Sequence, residues 1–182
     1  MIRVFNFSVL VAISLALGAC SGFNYKDYQG QIDPAVIKPY DLSGRTPGAP
    51  IIYFDTTTYR DLGVPFHRLL LATHVDDQHL AGAGRGEFYD FSGYQAVKVT
   101  PGKHSLQWCW VSKNSLGTGG GTCSFRAGDV EFKAGQRYLV TWNTSGMTRG
   151  HNSYIVIHSK IQNFDTQEVI FSGDSQSEGQ GN

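Results

Sequence analysis

The residues best suited to hold a metal ion lie in one short segment. His74, Asp76 and His79 fall within six residues of one another, and in a hairpin His74 and Asp76 would share one face while His79 returns on the next strand. Imidazole nitrogens and carboxylate oxygens are ligands of zinc sites. The segment lacks the H-x-H or H-E-x-x-H spacing of dedicated sites. We therefore predict that no metal binds here. The alternative is a metal site formed by these three residues.

Catalytic patterns are also sparse. Asp55, Glu87 and Asp90 could pair as acid and base in glycoside cleavage, but a chain with 15 acidic residues offers many such pairs. There is no G-x-S-x-G motif and no P-loop, and the glycine-rich segment 82–86 lacks the strand and helix of a dinucleotide site. We predict a protein that is not an enzyme and needs no cofactor.

The N-terminus reads as an export signal. Arg3 precedes a mostly apolar stretch, residues 5–17, that is too short to span a bilayer. Leu17-Gly18-Ala19-Cys20 then resembles the lipobox of bacterial lipoproteins. The resemblance implies cleavage before Cys20, acylation of its thiol and, with Ser21 next, the outer membrane. The alternative is an ordinary signal peptide cleaved after Ala19.

Lipidation of Cys20 would leave Cys109 and Cys123 as a pair, which outside the cytoplasm predicts a disulfide. The segment between them contains a run of glycines that regular structure tolerates poorly. We predict a closed, glycine-rich loop beside two tryptophans, suited to be a contact surface. The alternative is that the face these tryptophans share with Leu106 is core. The candidate surface consists of Trp108, Trp110, Leu116, Gly119, Gly120 and Gly121.

The elements that must position these residues are predicted to be strands. Alternating or short apolar blocks, bounded by turn residues, favour an antiparallel β-sandwich of about seven to nine strands. Residues 57–63 could form one helical turn. The main predicted strands are 51–54, 68–75, 94–100, 103–111, 129–132, 137–143 and 154–161.

Composition divides the chain into four parts. Residues 1–19 are the signal peptide, and residues 20–49, rich in proline and glycine, are predicted to be a lipidated tether. Residues 50–172 form the predicted β-sandwich domain. Residues 173–182 contain no apolar side chain and are predicted to be a disordered tail.

Two turn motifs carry a second resemblance. The segment 99–104 (VTPGKH), followed by 132–138 (FKAGQRY), resembles a pattern in small bacterial envelope lipoproteins of unknown function and in PEGA-like surface domains. The resemblance covers roughly residues 68–142. It implies a small β-sandwich, and implies fold more than activity.

Net charge limits the partners. The 15 basic and 15 acidic residues balance, so the chain lacks the cationic excess of nucleic-acid binders and polybasic membrane-surface proteins. The first functional hypothesis is a lipid-anchored interaction module that binds an unidentified envelope protein in an envelope or secretion assembly. The alternative is an envelope hydrolase or a metal-dependent enzyme.

Overall fold

A computed structural model describes residues 32–61, 64–85, 91–114, 119–149 and 152–174. Throughout these ranges the regular structure is β-strand, which confirms the all-β prediction. None of the described residues belongs to a helix long and apolar enough to cross a membrane. The strands are β1 (Tyr40–Asp41), β2 (Ile51–Phe54), β3 (Thr56–Asp61), β4 (Val64–Val75), β5 (Gln78–His79), β6 (Gly84–Arg85), β7 (Phe91–Ser92), β8 (Ala96–Lys98), β9 (Gly102–Asn114), β10 (Gly119–Phe132), β11 (Arg137–Arg149), β12 (Asn152–Asn163) and β13 (Val169–Asp174).

The strands form two main sheets. One has six strands in the order β1-β8-β2-β11-β12-β13. The other has the order β10-β9-β4-β3, with β5 paired to β4. β6 and β7 form a separate two-stranded sheet. The expectation of purely antiparallel pairing is wrong in the six-stranded sheet, where β1 runs parallel to β8 and β2 parallel to β11. Chain-distant strands meet there, and local sequence patterns do not encode their relative direction.

The principal hydrophobic core draws on both main sheets. Ile52 and Val140 contribute from the six-stranded sheet, and Leu70 and Trp108 from the five-stranded one. Alternation along each strand places these side chains on one face. A smaller cluster includes the alternate residues of β4 and β9, together with Phe91. The five-stranded sheet therefore buries apolar side chains on both of its faces.

The helical turn predicted for residues 57–63 is wrong over its described part. Thr56–Asp61 is strand β3, which pairs antiparallel with β4. Its three consecutive threonines are β-branched, and such residues favour strands over helices.

Residues before the predicted domain boundary at residue 50 also pair with the six-stranded sheet. Tyr40 and Asp41 pair with β8, and the ring of Tyr40 lies 4.4 Å from that of Tyr94. The amide of Leu42 donates to the carbonyl of Lys98 at 2.8 Å. We call residues 40–49 the docked lead-in. At the other end β13 extends to residue 174, whereas the predicted signal peptide and residues 175–182 lie outside the described residues.

Candidate functional site

The three residues proposed as metal ligands take part in two separate sets of contacts. His74 and His79 are cross-strand neighbours on β4 and β5, with ring centroids 4.7 Å apart. Burial, and secondly the nearby imidazole of His79, lower the pKa of His74. Asp76 instead contacts β9: its Oδ2 lies 2.8 Å from Nδ1 of His104, and its Oδ1 accepts from the amide of Ser105 at 2.9 Å. Within the described ranges, no three His, Cys, Asp or Glu side chains form a group that could hold a metal ion.

The carboxylates considered for acid-base chemistry cannot be compared as a set, because Glu87 and Asp90 lie outside the described residues. Asp55 is half-buried between β2 and β3. Its Oδ2 accepts from the hydroxyl of Thr141 at 2.9 Å, and its Oδ1 accepts from the amide of Thr56 at 2.8 Å. Burial raises the pKa of Asp55, although both hydrogen bonds oppose that shift. These contacts give Asp55 a structural role.

The predicted disulfide between Cys109 and Cys123 is confirmed, and it joins β9 to β10. The predicted glycine-rich loop is wrong, because Gly119 to Gly121 are strand residues that pair with Lys113 to Val111. At Gly121 a Cβ atom would lie 2.6 Å from the carbonyl oxygen of Trp110 and 3.0 Å from the ring of Phe91. The absence of a side chain at Gly121 allows β9 and Phe91 to pack closely against β10, and the residue is not part of a flexible loop.

Of the two tryptophans in the predicted contact surface, Trp108 is buried and Trp110 is half-buried. Trp108 is only 1% exposed and stacks against Phe125 with ring centroids 5.9 Å apart. Trp110 is half-buried against the principal core, and the guanidinium of Arg68 lies 5.9 Å from its ring. Leu116 lies outside the described residues. The core interpretation therefore holds for Trp108, and the glycines beside it belong to β10.

A different surface combines a cavity with exposed apolar side chains. β10 is one edge of the five-stranded sheet, β13 is one edge of the six-stranded sheet, and the two strands contact each other. Beside them lies a cavity of about 430 Å³. We call it the edge groove. Its lining includes Asp129, Glu131, Lys133, Glu168, Ile170 and Phe171.

Partly buried hydrogen bonds hold the base of the edge groove. The hydroxyl of Tyr138 donates to Oε1 of Gln136 at 2.9 Å and accepts from the amide of Lys133 at 2.9 Å. Nδ2 of Asn163 donates to the same Gln136 oxygen at 2.9 Å. Oδ1 of Asn163 accepts from the amides of residues 165 and 166, which fixes the turn before β13. The groove is thus preorganised by its backbone and polar base.

Exposed large hydrophobic side chains are concentrated beside this groove. In the described ranges they are Val36, at 59% exposure, and the neighbours Val169 and Ile170, at 48% and 36%. Sequence reasoning missed this place, because it ended the domain at residue 172 and did not read residues 169–171 (VIF) as a strand. That short β-branched and aromatic run after a polar turn is the signal that could have found it.

Charge in the edge groove is predominantly negative. Asp129, Glu131 and Glu168 supply three carboxylates against the single ammonium of Lys133. None of these four side chains forms an ion pair with another described residue. A nearby ion pair between Arg137 and Asp165 is internally balanced. Lys103 lies opposite Glu131 in the pairing of β9 with β10, and with both lysines counted the groove still has an excess of negative charge.

Comparison with known proteins adds no relative. No family model matches the chain, and neither a curated protein nor a solved structure matches it. Proposals about function therefore rest on the residues and geometry of the chain itself.

Proposed function

We propose that the chain is a non-enzymatic lipoprotein anchored in the bacterial outer membrane, whose β-sandwich acts as an interaction module in an envelope or secretion assembly. The single observation that carries the interaction role is the edge of β13, where Val169 and Ile170 are exposed beside the edge groove. Neighbouring exposed apolar side chains at a sheet edge are typical of surfaces that meet a partner.

The sandwich architecture is supported by the principal core. Its members come from both the six-stranded and the five-stranded sheet. Each sheet supplies alternate residues of its strands, as two sheets packed face to face would do. The rim where β10 meets β13 leaves the edge groove open at one side of this core.

The anchor is supported by the resemblance of Leu17-Gly18-Ala19-Cys20 to a lipobox. Each buried methylene contributes about 0.8 kcal/mol to membrane binding, so several acyl chains would hold the protein permanently. This mode of attachment needs no basic surface and agrees with the balanced charge of the chain.

The test follows the full-length chain in a bacterial host by membrane fractionation. Wild-type protein should sediment with the membranes, whereas Cys20→Ser should be released, because it has no thiol to acylate. Ser21→Ala is the matched control and should stay membrane-bound. If Cys20→Ser stayed with the membranes as Ser21→Ala does, the lipid anchor would be contradicted.

The interaction role is tested in the same cells by crosslinking and affinity capture. A partner enriched by wild-type protein should be lost from Val169→Lys, which places a charge on the exposed part of β13. Asp77→Asn, a change at an exposed turn residue outside the groove, should capture the same partner. Capture of no enriched partner, or of the same partner by Val169→Lys, would overturn the role of this edge.

A further inference from the structure

We propose that β13 and the edge groove bind an extended, positively charged peptide segment of the partner, which adds to β13 as a seventh strand of the six-stranded sheet. The inference rests on the proposed function as an interaction module and specifies the chemistry of what is bound. Recognition by strand addition gives affinity through backbone hydrogen bonds and specificity through alternate side chains.

The edge strands of the two main sheets differ in how they are protected from pairing with another strand. β10 is interrupted by register shifts between Thr122 and Phe125 and between Ala127 and Val130. β1 is two residues long, and β3 carries Arg60 and Asp61 in its sequence. Bulges, short length and charge are the usual means by which proteins prevent pairing at an edge.

β13 is longer than β1, and its pairing has one register shift where that of β10 has two. It has six residues, contains no proline or lysine, and pairs with β12 alone among the described strands. Its one irregularity falls at Ile170, between the pairs formed by Val169 and Phe171 with β12. From that position Ile170 lines the edge groove and is partly exposed. The irregularity therefore places an apolar side chain on the recognition surface.

The cavity beside β13 offers room for the side chains of a bound peptide. A peptide paired with β13 would lie along the cavity of about 430 Å³, whose lining includes Ile170 and Phe171. Alternate side chains of a strand point to opposite faces. Every second residue of the bound segment would therefore reach the groove, where basic side chains would meet its carboxylates, and apolar residues at the intervening positions would cover Val169, which does not line the groove.

The charge of the edge groove favours a basic segment. The carboxylates of Asp129, Glu131 and Glu168 outnumber the ammonium of Lys133, so lysine or arginine in the bound segment would be favoured. A second copy of this chain is a poorer occupant. A second copy would bring the same excess of carboxylates to the pairing, and like charges brought together oppose association.

The experiment measures peptide binding to the purified full-length chain in neutral detergent micelles by fluorescence anisotropy. The probes are a nine-residue peptide of alternating lysine and valine, its glutamate-valine analogue, and a lysine-valine peptide N-methylated at alternate backbone nitrogens. The lysine-valine peptide should bind saturably. The other two should bind at least about tenfold more weakly, the first through charge and the second through lost backbone donors. Added salt should weaken binding of the lysine-valine peptide.

Variants locate the binding. Glu131→Gln combined with Glu168→Gln should weaken binding of the lysine-valine peptide, as should Val169→Thr combined with Ile170→Thr, which preserves strand propensity at both positions. Asp77→Asn removes one exposed negative charge outside the groove and should bind like wild type. Thermal unfolding by circular dichroism checks that each variant is folded, and only folded variants are compared.

Three outcomes would overturn the proposal: equal binding of the lysine and glutamate peptides, unchanged binding of the N-methylated peptide, or equal weakening by Asp77→Asn. A concentration-dependent dimer abolished by Val169→Lys would assign the edge to a second copy instead. If cellular capture depends on Val169 but the lysine-valine peptide does not bind, the interaction module stands and its cationic partner segment is wrong. Failure of the lipid anchor would leave peptide binding unchanged.

Discussion

Gly121 occupies a place where the chain has no room for a side chain. Its ideal Cβ position is 2.6 Å from a backbone oxygen of Trp110, which cannot rotate away, and 3.0 Å from the ring of Phe91. Gly120, its neighbour in β10, has open space at the same position. The two glycines thus form a matched pair for testing the packing between β10 and β9.

We expect Gly121→Ala to lower the free energy of unfolding by about 1–3 kcal/mol, because the added methyl group forces the backbone or Phe91 to shift. Gly120→Ala should stay within about 0.5 kcal/mol of wild type. Urea unfolding followed by tryptophan fluorescence measures both. Equal stability of the two variants would contradict the packing seen at Gly121.

At the scale of elements, the disulfide joins two strands that already pair along their length. Cys109 is fully buried in the smaller apolar cluster, while Cys123 is exposed, and 14 positions separate them in the chain. Breaking the bond should lower the free energy of unfolding by about 3 kcal/mol, since the unfolded chain loses a closed loop of that size. Denaturant unfolding with and without a thiol reductant measures the loss.

The double variant Cys109→Ala with Cys123→Ala is the control for this prediction. It should already be destabilised, and reductant should have no further effect on it. A wild-type unfolding midpoint that does not change in reductant would show that backbone pairing between β9 and β10 carries the stability alone.

Local patterns predicted strands better than they predicted neighbours. Residues 51–54 form β2 with the predicted bounds, and the turn at 134–136 is present with Gly135 at a φ of 73°. The parallel partners of β1 and β2, by contrast, come from distant parts of the chain. Alternation gives the faces of a strand, but the edges that stay open depend on long-range pairing. The sequence analysis missed the edge groove for this reason. It predicted a loop at the glycines 119–121 because the residues that pack against them come from other strands.

At the scale of the whole molecule, Asp55 connects the two main sheets. Its amide donates to the carbonyl of Val140 at 2.9 Å in the six-stranded sheet, and its carbonyl accepts from the amide of Leu70 at 3.0 Å in the five-stranded sheet. Its carboxylate also accepts from the hydroxyl of Thr141 on β11. Burial raises the pKa of this carboxyl above the ordinary value of 3.8. Ionisation is therefore harder in the folded state than in the unfolded chain.

The sign of the pH dependence follows. Between pH 3.8 and the raised pKa, the folded state binds more protons than the unfolded chain, so the contribution of Asp55 to stability falls as pH rises through that window. Asp55→Asn cannot ionise, so its stability relative to wild type should increase as pH rises from 3.8 through the raised pKa. Denaturant unfolding across this range measures the difference, with Asp77→Asn as the exposed control. A constant difference between Asp55→Asn and wild type would contradict the prediction.

The docked lead-in also limits how far the domain could stand from a membrane. If the chain were free up to residue 50, an anchor at Cys20 would leave a leash of about 30 residues, or roughly 100 Å when fully extended. Because Tyr40 already belongs to the six-stranded sheet, a tether from an anchor at Cys20 would have about 20 residues and would span at most roughly 70 Å. An anchored chain would search a thin layer above the bilayer, and a peptide segment presented within that layer would meet β13 at a raised local concentration.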